Sequence, residues 1–131
     1  MAPDVVPESR LIRCDNHMGP EQALQAHRDL GGKVMVPIHW GLFDLAVHSW
    51  TEPAERLLAA MATAEHEAAA DGGGGGGGGG ARVALALPLP GQTVRPATVT
   101  AGAGRWWPSI PWSTADETPI VSTGQSIVGR N

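Results

Sequence analysis

The chain of 131 residues contains nine consecutive glycines at positions 72–80, and this run limits what the chain can fold into. Glycine loses more backbone entropy on ordering than any other residue, so such a run behaves as a flexible linker. It lacks the Lys and Ser/Thr that a phosphate-binding loop places at fixed offsets, which excludes that kind of site. The core must be assembled from segments on both sides of the run, and we expect it to be thin.

Charge and cysteine content exclude two further classes of site. The chain has 9 Lys and Arg against 13 Asp and Glu, a net charge of −4, and its basic residues are scattered. Nucleic-acid binding needs clustered basic residues, so we expect no nucleic-acid partner. Cys14 is the only cysteine, which excludes an internal disulfide and a cluster of thiolate metal ligands, and it suits a reducing compartment.

Membrane and export signals are absent from the sequence pattern. No apolar run approaches the ~20 residues that cross a bilayer. The first residues include Asp4 and Glu8 and lack the basic-then-apolar layout of a secretion signal. We therefore expect a soluble, cytoplasmic protein without a transmembrane segment.

Hydrophobic periodicity and helix boundary residues predict an α/β (α+β) fold. Pro20 suits the first turn of a helix and the glycines at 31–32 suit its end, so a helix is expected from 20 to about 30. The apolar run at 34–38 predicts a buried strand. A strand over 81–87 and a second helix ending near residue 70 complete the pattern. The predicted buried stripe of that helix consists of Ala54, Leu57, Leu58, Met61 and Ala62.

These segments suggest three regions. Pro3 and Pro7 make residues 1–13 an extended lead-in. Residues 14–92 form the predicted domain, interrupted by the linker at 72–80. Residues 93–131 contain prolines and three tryptophans without clear periodicity, and we expect a loose tail.

Two histidines are candidates for a site. His39 follows the apolar run at 34–38, at the carboxyl end of a predicted strand, where α/β sheets place their ligands. Its neutral imidazole is a common metal ligand, although a histidine in this position is also found as a core or rim residue. His17 lies just before the first helix, where a helix N-terminus favours an anion, and it could instead serve only to cap that helix.

Five motifs in order make the chain resemble part of a known family. They are residues 15–23 (DNHMGPEQA), 27–31 (HRDLG), 37–43 (PIHWGLF), 50–53 (WTEP) and 87–92 (LPLPGQ). In this order the motifs resemble the C-terminal part of metallo-β-lactamase-fold hydrolases, in the branch that includes N-acylphosphatidylethanolamine phospholipase D and its bacterial relatives. The resemblance implies the C-terminal part of a four-layer αββα sandwich.

The same resemblance implies a metal-dependent hydrolase acting on phosphodiester or ester bonds, with lipids as a leading substrate class. The complete family site holds two divalent ions, which we expect to be zinc. His39 is similar to the last metal ligand of the family, and His17 to the histidine that approaches the substrate phosphate. No organic cofactor is implied.

The principal ligand motif of the family, His-x-His-x-Asp-His, does not occur in this sequence. We therefore expect the chain to be inactive alone and to need an upstream polypeptide that completes the sandwich. Two other interpretations remain open. The chain could be a non-catalytic structural remnant, or a small interaction module that uses its Trp- and Pro-containing tail to bind a partner.

Overall fold

The computed structural model describes residues 12–13, 17–43, 48–70, 83–100 and 104–121. In chain order its elements are β1 (Ile12–Arg13), α1 (Pro20–Asp29), β2 (Val34–Met35), α2 (Glu52–Ala70), β3 (Ala84–Leu85), a 3-10 turn (Pro96–Thr98) and β4 (Ile120–Val121). The predictions for the glycine linker, for Cys14 and for most of the lead-in lie outside the described residues.

Local signals account for both ends of α1. Pro20 occupies the first turn, where its missing N–H costs nothing, and the side chain of Gln22 accepts a hydrogen bond from the Gly19 N–H at 3.0 Å. After the helix, Gly31 adopts φ of 65°, a conformation that glycine enters without a steric penalty. The predicted helix over 20 to about 30 is confirmed within one residue.

The strands are shorter than the apolar runs that predicted them. β2 pairs in parallel with β3, with Val34 opposite Ala84 and Met35 opposite Leu85. Pro37 has no N–H to donate to a sheet, so regular pairing ends early in the run at 34–38. β1 pairs in parallel with β4 in a second two-stranded sheet. Parallel neighbours need a long crossover, and α2 lies within the one between β2 and β3.

The core lies between the two helices and the β2–β3 sheet. Its buried apolar residues are Leu24, Met35, Ala54, Leu57, Leu85, Leu87 and Trp107. Of the predicted stripe of α2, Ala54 and Leu57 are buried, and Leu58 and Met61 are half-buried. The helix is exposed from Ala62 onward apart from the half-buried Ala64. Each of these elements contributes only a few core residues, as expected for a thin core.

A buried ionic network crosses the helix pair. The Arg56 guanidinium on α2, only 3% exposed, donates to both carboxylate oxygens of Glu21 on α1 at 2.7 and 3.1 Å. It also donates to the Thr118 carbonyl at 3.1 Å, and the Glu52 carboxylate lies 3.6 Å away. One cation therefore joins α1, α2 and the C-terminal segment.

The described part of the predicted tail packs on α2. Trp107 is 6% exposed within the core, and the Ser113 N–H donates to the Glu52 carboxylate at 3.2 Å. β4 lies beside β1 near the end of the described chain. Residues 104–119 are therefore held by buried contacts, for which the periodicity offered no signal.

The described residues thus form a mixed α/β fold with two α-helices and two pairs of parallel strands. Within the described residues, neither helix is long and apolar enough to cross a membrane.

Candidate functional site

His39 lies at the turn that ends the β2 segment, and its backbone has a φ of 63°. Residues other than glycine seldom adopt this left-handed conformation, and among them asparagine, aspartate and histidine do so most often. Of the two neighbours of His39, Ile38 is exposed and Trp40 is half-buried. The indole N–H of Trp40 donates to the Pro37 carbonyl at 3.2 Å and closes the turn. The result is an exposed His39 imidazole on a constrained backbone.

His17 is brought beside His39 by the packing of the N-terminus of α1 near the end of β2. The two ring centroids are 6.3 Å apart with an interplanar angle of 48°. Both residues are exposed, and they are separated by 22 positions in the sequence. The structure therefore places the two predicted site residues side by side.

Two imidazoles at this separation fit part of a metal site. A zinc ion binds imidazole nitrogen at ~2.0–2.1 Å and takes four ligands in a tetrahedral arrangement, so two rings that share an ion converge on it from two corners of a tetrahedron. Within the described parts of the chain, no group of three or more His, Cys, Asp or Glu residues could hold an ion. The histidine pair therefore accounts for a fraction of a complete ligand set.

A cluster of tryptophans supports the His39 turn. Trp40 packs edge-on against Trp107 with ring centroids 5.1 Å apart, and against Trp106 at 5.7 Å. Trp50 adds a contact with Trp106 at 6.1 Å, and the Trp106 indole N–H donates to the Leu87 carbonyl at 2.9 Å. Aromatic pairs of this kind contribute about 0.5–1.5 kcal/mol beyond their area burial. The cluster fixes the residue that follows His39.

Two charged residues, Glu55 and Arg105, stabilise the tryptophan cluster. Glu55 on α2 accepts hydrogen bonds from Arg105 Nε at 3.0 Å and Nη2 at 2.9 Å, and from the Trp107 indole N–H at 2.8 Å. The bonds from Arg105, together with that from Trp107, hold the pKa of the Glu55 carboxyl below its ordinary value. The same pairing raises the pKa of Arg105. A chain of contacts thus runs from Glu55 through Trp107 and Trp40 to the His39 turn.

The sequence did not predict the contacts of Glu55 with Arg105 and Trp107. Glu55 lies in a helix whose sequence predicts an apolar stripe, and Arg105 precedes a segment without periodicity. The adjacent Trp106 and Trp107 were a usable signal, because two neighbouring indoles are seldom both left in water. Their partners could not be read from the sequence.

A shallow cavity of about 380 Å³ has Trp106 among its lining residues. It is lined by the loop at 87–92, which carries the last of the family-like motifs, and by polar residues that include Arg95 and Thr98. Neither His17 nor His39 lines it. The cavity and the histidine pair are therefore separate features.

Comparisons with known proteins identify longer relatives of undefined role. The chain is 45% identical over 96 residues to uncharacterized proteins of Mycobacterium bovis and of two strains of Mycobacterium tuberculosis, CDC 1551 and H37Rv. The alignment covers 71% of this chain and 21% of each relative, so the chain spans about a fifth of their length. No protein-family profile matches the chain. No solved structure matches it either.

Proposed function

We propose that the chain is the C-terminal portion of a metal-dependent hydrolase of the metallo-β-lactamase superfamily, in the N-acylphosphatidylethanolamine phospholipase D-like branch. Its substrates would be phosphodiesters or esters, with lipids among them, and its ions zinc. The observation that carries the proposal is the pairing of His17 with His39, whose rings lie 6.3 Å apart although 22 positions separate them in the chain. These are the two residues that the family resemblance singles out.

The backbone at His39 adds support. A residue in the left-handed region costs about 1–3 kcal/mol, and such residues collect at functional sites because the surrounding structure must hold them. Here the Trp40 indole and the Trp107 contact hold the turn. A ligand imidazole benefits from this rigidity, because its direction is set before an ion arrives.

The layering is consistent with part of an αββα sandwich. The two helices cover the side of the β2–β3 sheet that carries Met35 and Leu85. Beyond the end of β2, Val36 and Ile38 are exposed. Parallel sheets usually have both faces covered, so a second layer would suit the exposed side.

In the proposed reaction each histidine has a separate task. His39 would hold an ion through a ring nitrogen, and His17 would contact a phosphate oxygen of the substrate from the N-terminal side of α1, where the helix dipole favours negative charge. The chemistry that zinc would supply at such a site, when bound, is polarisation of a phosphoryl or carbonyl group and a lowered pKa of a bound water. The remaining ligands would come from polypeptide outside this chain.

The two alternatives differ in their support. Trp106 and Trp107 are engaged in the internal cluster, which leaves them unavailable to bind a partner of the kind expected for a tail-based interaction module. A non-catalytic remnant would keep the core and the Arg56 network without any use for the histidine pair. The experiment must therefore distinguish part of a hydrolase from a non-catalytic structural remnant.

The test is a chimera in which this chain replaces the matched segment of the M. tuberculosis H37Rv relative. We expect metal-dependent hydrolysis of a phosphodiester substrate. His39→Ala should lower both metal content and turnover, whereas His17→Ala should leave metal content unchanged and lower turnover. His66→Ala, on the exposed end of α2, is the matched control and should change neither. A folded chimera whose turnover and metal content survive His39→Ala would refute the proposal.

A further inference from the structure

The cavity beside Trp106 has the size and the mixed lining of a small-molecule site. Its volume of about 380 Å³ lies within the range of ~300–1,000 Å³ that is usual for such sites. Its buried and half-buried lining residues are all apolar, and they include Leu87, Val94, Val99 and Trp106. Its exposed lining residues are mostly polar, and they include Gln92, Thr93, Arg95 and Thr98. A polar rim therefore surrounds an apolar floor.

The floor of the cavity is held in place before any ligand binds. The Trp106 indole N–H donates to the carbonyl of Leu87, which also lines the cavity, at 2.9 Å. The Trp106 ring packs against Trp107 and Trp40 with centroid separations of 5.6 and 5.7 Å. Because the indole is fixed at its N–H and by two neighbouring rings, a ligand meets a preformed apolar surface.

The charge of the lining selects an anion. Among the described residues that line the cavity, Arg95 carries the single charge, and no carboxylate is present. No ion pair joins Arg95 to another described residue, whereas Arg56 and Arg105 are both paired with glutamates. In a chain with a net charge of −4, the cavity is therefore a local site of uncompensated positive charge. A bound anion would supply the missing partner.

Hydrogen bonds around Arg95 leave donors for such an anion. The Thr98 N–H and hydroxyl both donate to the Arg95 carbonyl, at 2.9 and 3.0 Å, and they fix the backbone at Arg95 where the 3-10 turn begins. The Gln92 side-chain oxygen accepts from the Leu89 N–H at 2.9 Å. This bond occupies the acceptor of the amide and leaves its NH₂ group as a donor. The guanidinium and the amide of two lining residues therefore both suit a ligand with acceptor oxygens.

We propose that this cavity binds a small monocarboxylate with a flat apolar body, with the carboxylate on Arg95 and the body on the floor formed by Trp106 and Leu87. A guanidinium binds a carboxylate through two parallel hydrogen bonds. One cation compensates one negative charge, which favours a monoanion over a phosphate monoester. Neither His17 nor His39 lines the cavity, so the proposal is independent of the proposed hydrolase.

The test is an NMR titration of the isotope-labelled 131-residue chain with cinnamate and with its neutral amide, cinnamamide. Cinnamate should shift the signals of the Arg95 Nε–H, the Gln92 NH₂ group and the Trp106 indole N–H, with a Kd of about 1 mM for so small a ligand in a shallow site. The amide should bind about tenfold more weakly, because it lacks the charge that strengthens the bonds to Arg95. The backbone amides of α1, which does not line the cavity, should not shift.

Substitution of Arg95 separates the charge from the apolar floor. Arg95→Met keeps an aliphatic side chain at the rim, so it should weaken cinnamate binding about tenfold and leave cinnamamide binding unchanged. Unchanged binding of the amide also reports that the variant is folded. Arg28→Met, at an exposed position on α1, removes the same charge and is the matched control, which should alter the binding of neither ligand.

Three outcomes would overturn the inference. Cinnamate affinity that survives Arg95→Met would refute the assigned cation, and an equal loss in Arg28→Met would reduce the effect to net charge. Phenyl phosphate that binds tenfold more tightly than cinnamate would replace the carboxylate with a phosphate ligand. Hydrolysis by the chimera does not depend on this cavity, so either proposal can fail without the other.

Discussion

The backbone of His39 has a left-handed conformation, which is sterically unfavourable for a residue that carries a Cβ. Among the described residues, His39 is the non-glycine residue whose φ is positive, at 63°. For a side chain with a Cβ this region costs about 1–2 kcal/mol relative to the right-handed one. The stabilising contacts of the neighbouring Trp40 offset that cost.

Replacing His39 tests this strain directly. His39→Gly should be more stable than His39→Ala by about 1 kcal/mol, because only glycine enters the left-handed region without a Cβ penalty, less the entropy that glycine adds to the unfolded chain. The free energies of unfolding from urea melts provide the comparison. Equal stability of the two variants would contradict the assigned backbone conformation.

Glu55 is the residue whose ionisation is tied to folding. Hydrogen bonds from Arg105 and Trp107 hold its pKa below the ordinary value of about 4.3 in the folded chain. A carboxyl with a depressed folded pKa contributes stability that is fully present above its unfolded pKa and is lost as pH falls through its folded pKa. The contribution is therefore complete at neutral pH.

We expect the stability difference between the wild-type chain and Glu55→Gln to be constant above about pH 5 and to shrink as the pH falls below about 4. Thermal or urea melts across this range measure it. Glu67→Gln, on the exposed end of α2, controls for the loss of one negative charge. A difference that grows on acidification would contradict the assignment of Glu55 as the buried acceptor.

At the scale of elements, Arg56 links three parts of the chain through buried polar contacts. It binds Glu21 of α1 from within α2, and it also binds the carbonyl of Thr118 close to β4. Its side chain is 2% exposed, so water does not replace these bonds when one partner is lost. Losing one member of a buried pair leaves the other charge without compensation.

Arg56→Met should destabilise the chain by about 3 kcal/mol, because it leaves the Glu52 carboxylate buried without its cation while keeping an aliphatic side chain in the core. Chemical denaturation measures the loss. Arg28→Met, at an exposed position on α1, is the matched control and should change stability by less than ~0.5 kcal/mol. If both variants lost the same stability, the network would be no more than a surface feature.

At the scale of the whole molecule, the described part of the chain combines a buried hydrophobic core with an exposed pair of histidines. Trp107, Leu57 and residues of the β2–β3 sheet belong to one buried cluster, and Trp40, Trp50 and Trp106 pack against it. On the other side, two exposed histidines lie side by side without a third candidate ligand among the described residues. Folding of this chain and completion of its proposed site are therefore separate events.

The isolated chain should bind zinc weakly. Two exposed imidazoles offer half of a four-ligand set, so the binding free energy should fall well short of the ~10–16 kcal/mol of closed structural zinc sites. Calorimetric titration should find at most one ion per chain at this pair, and His39→Ala should remove it. A tight site for two ions would contradict the prediction.

Several features of the fold could be predicted because their signals are local. The α1 boundaries follow from Pro20 and from the glycines after the helix, and the apolar stripe of α2 follows from its periodicity. The strands were predicted too long, because Pro37 and the turn at His39 interrupt pairing inside an apolar run. The packing of residues 104–119 on α2 had no periodic pattern to predict it.

By itself the sequence determined where the helices lie, which face of α2 is apolar and which two histidines are candidates for a site. Only the tertiary structure decided that His17 lies beside His39, that Trp107 bonds to Glu55 across 52 positions, and that Arg56 joins Glu21 and Thr118 across 35 and 62. Caps, turns and periodicity act between residues a few positions apart. A buried charge or indole, in contrast, takes whichever partner the packing of distant segments brings within hydrogen-bond distance.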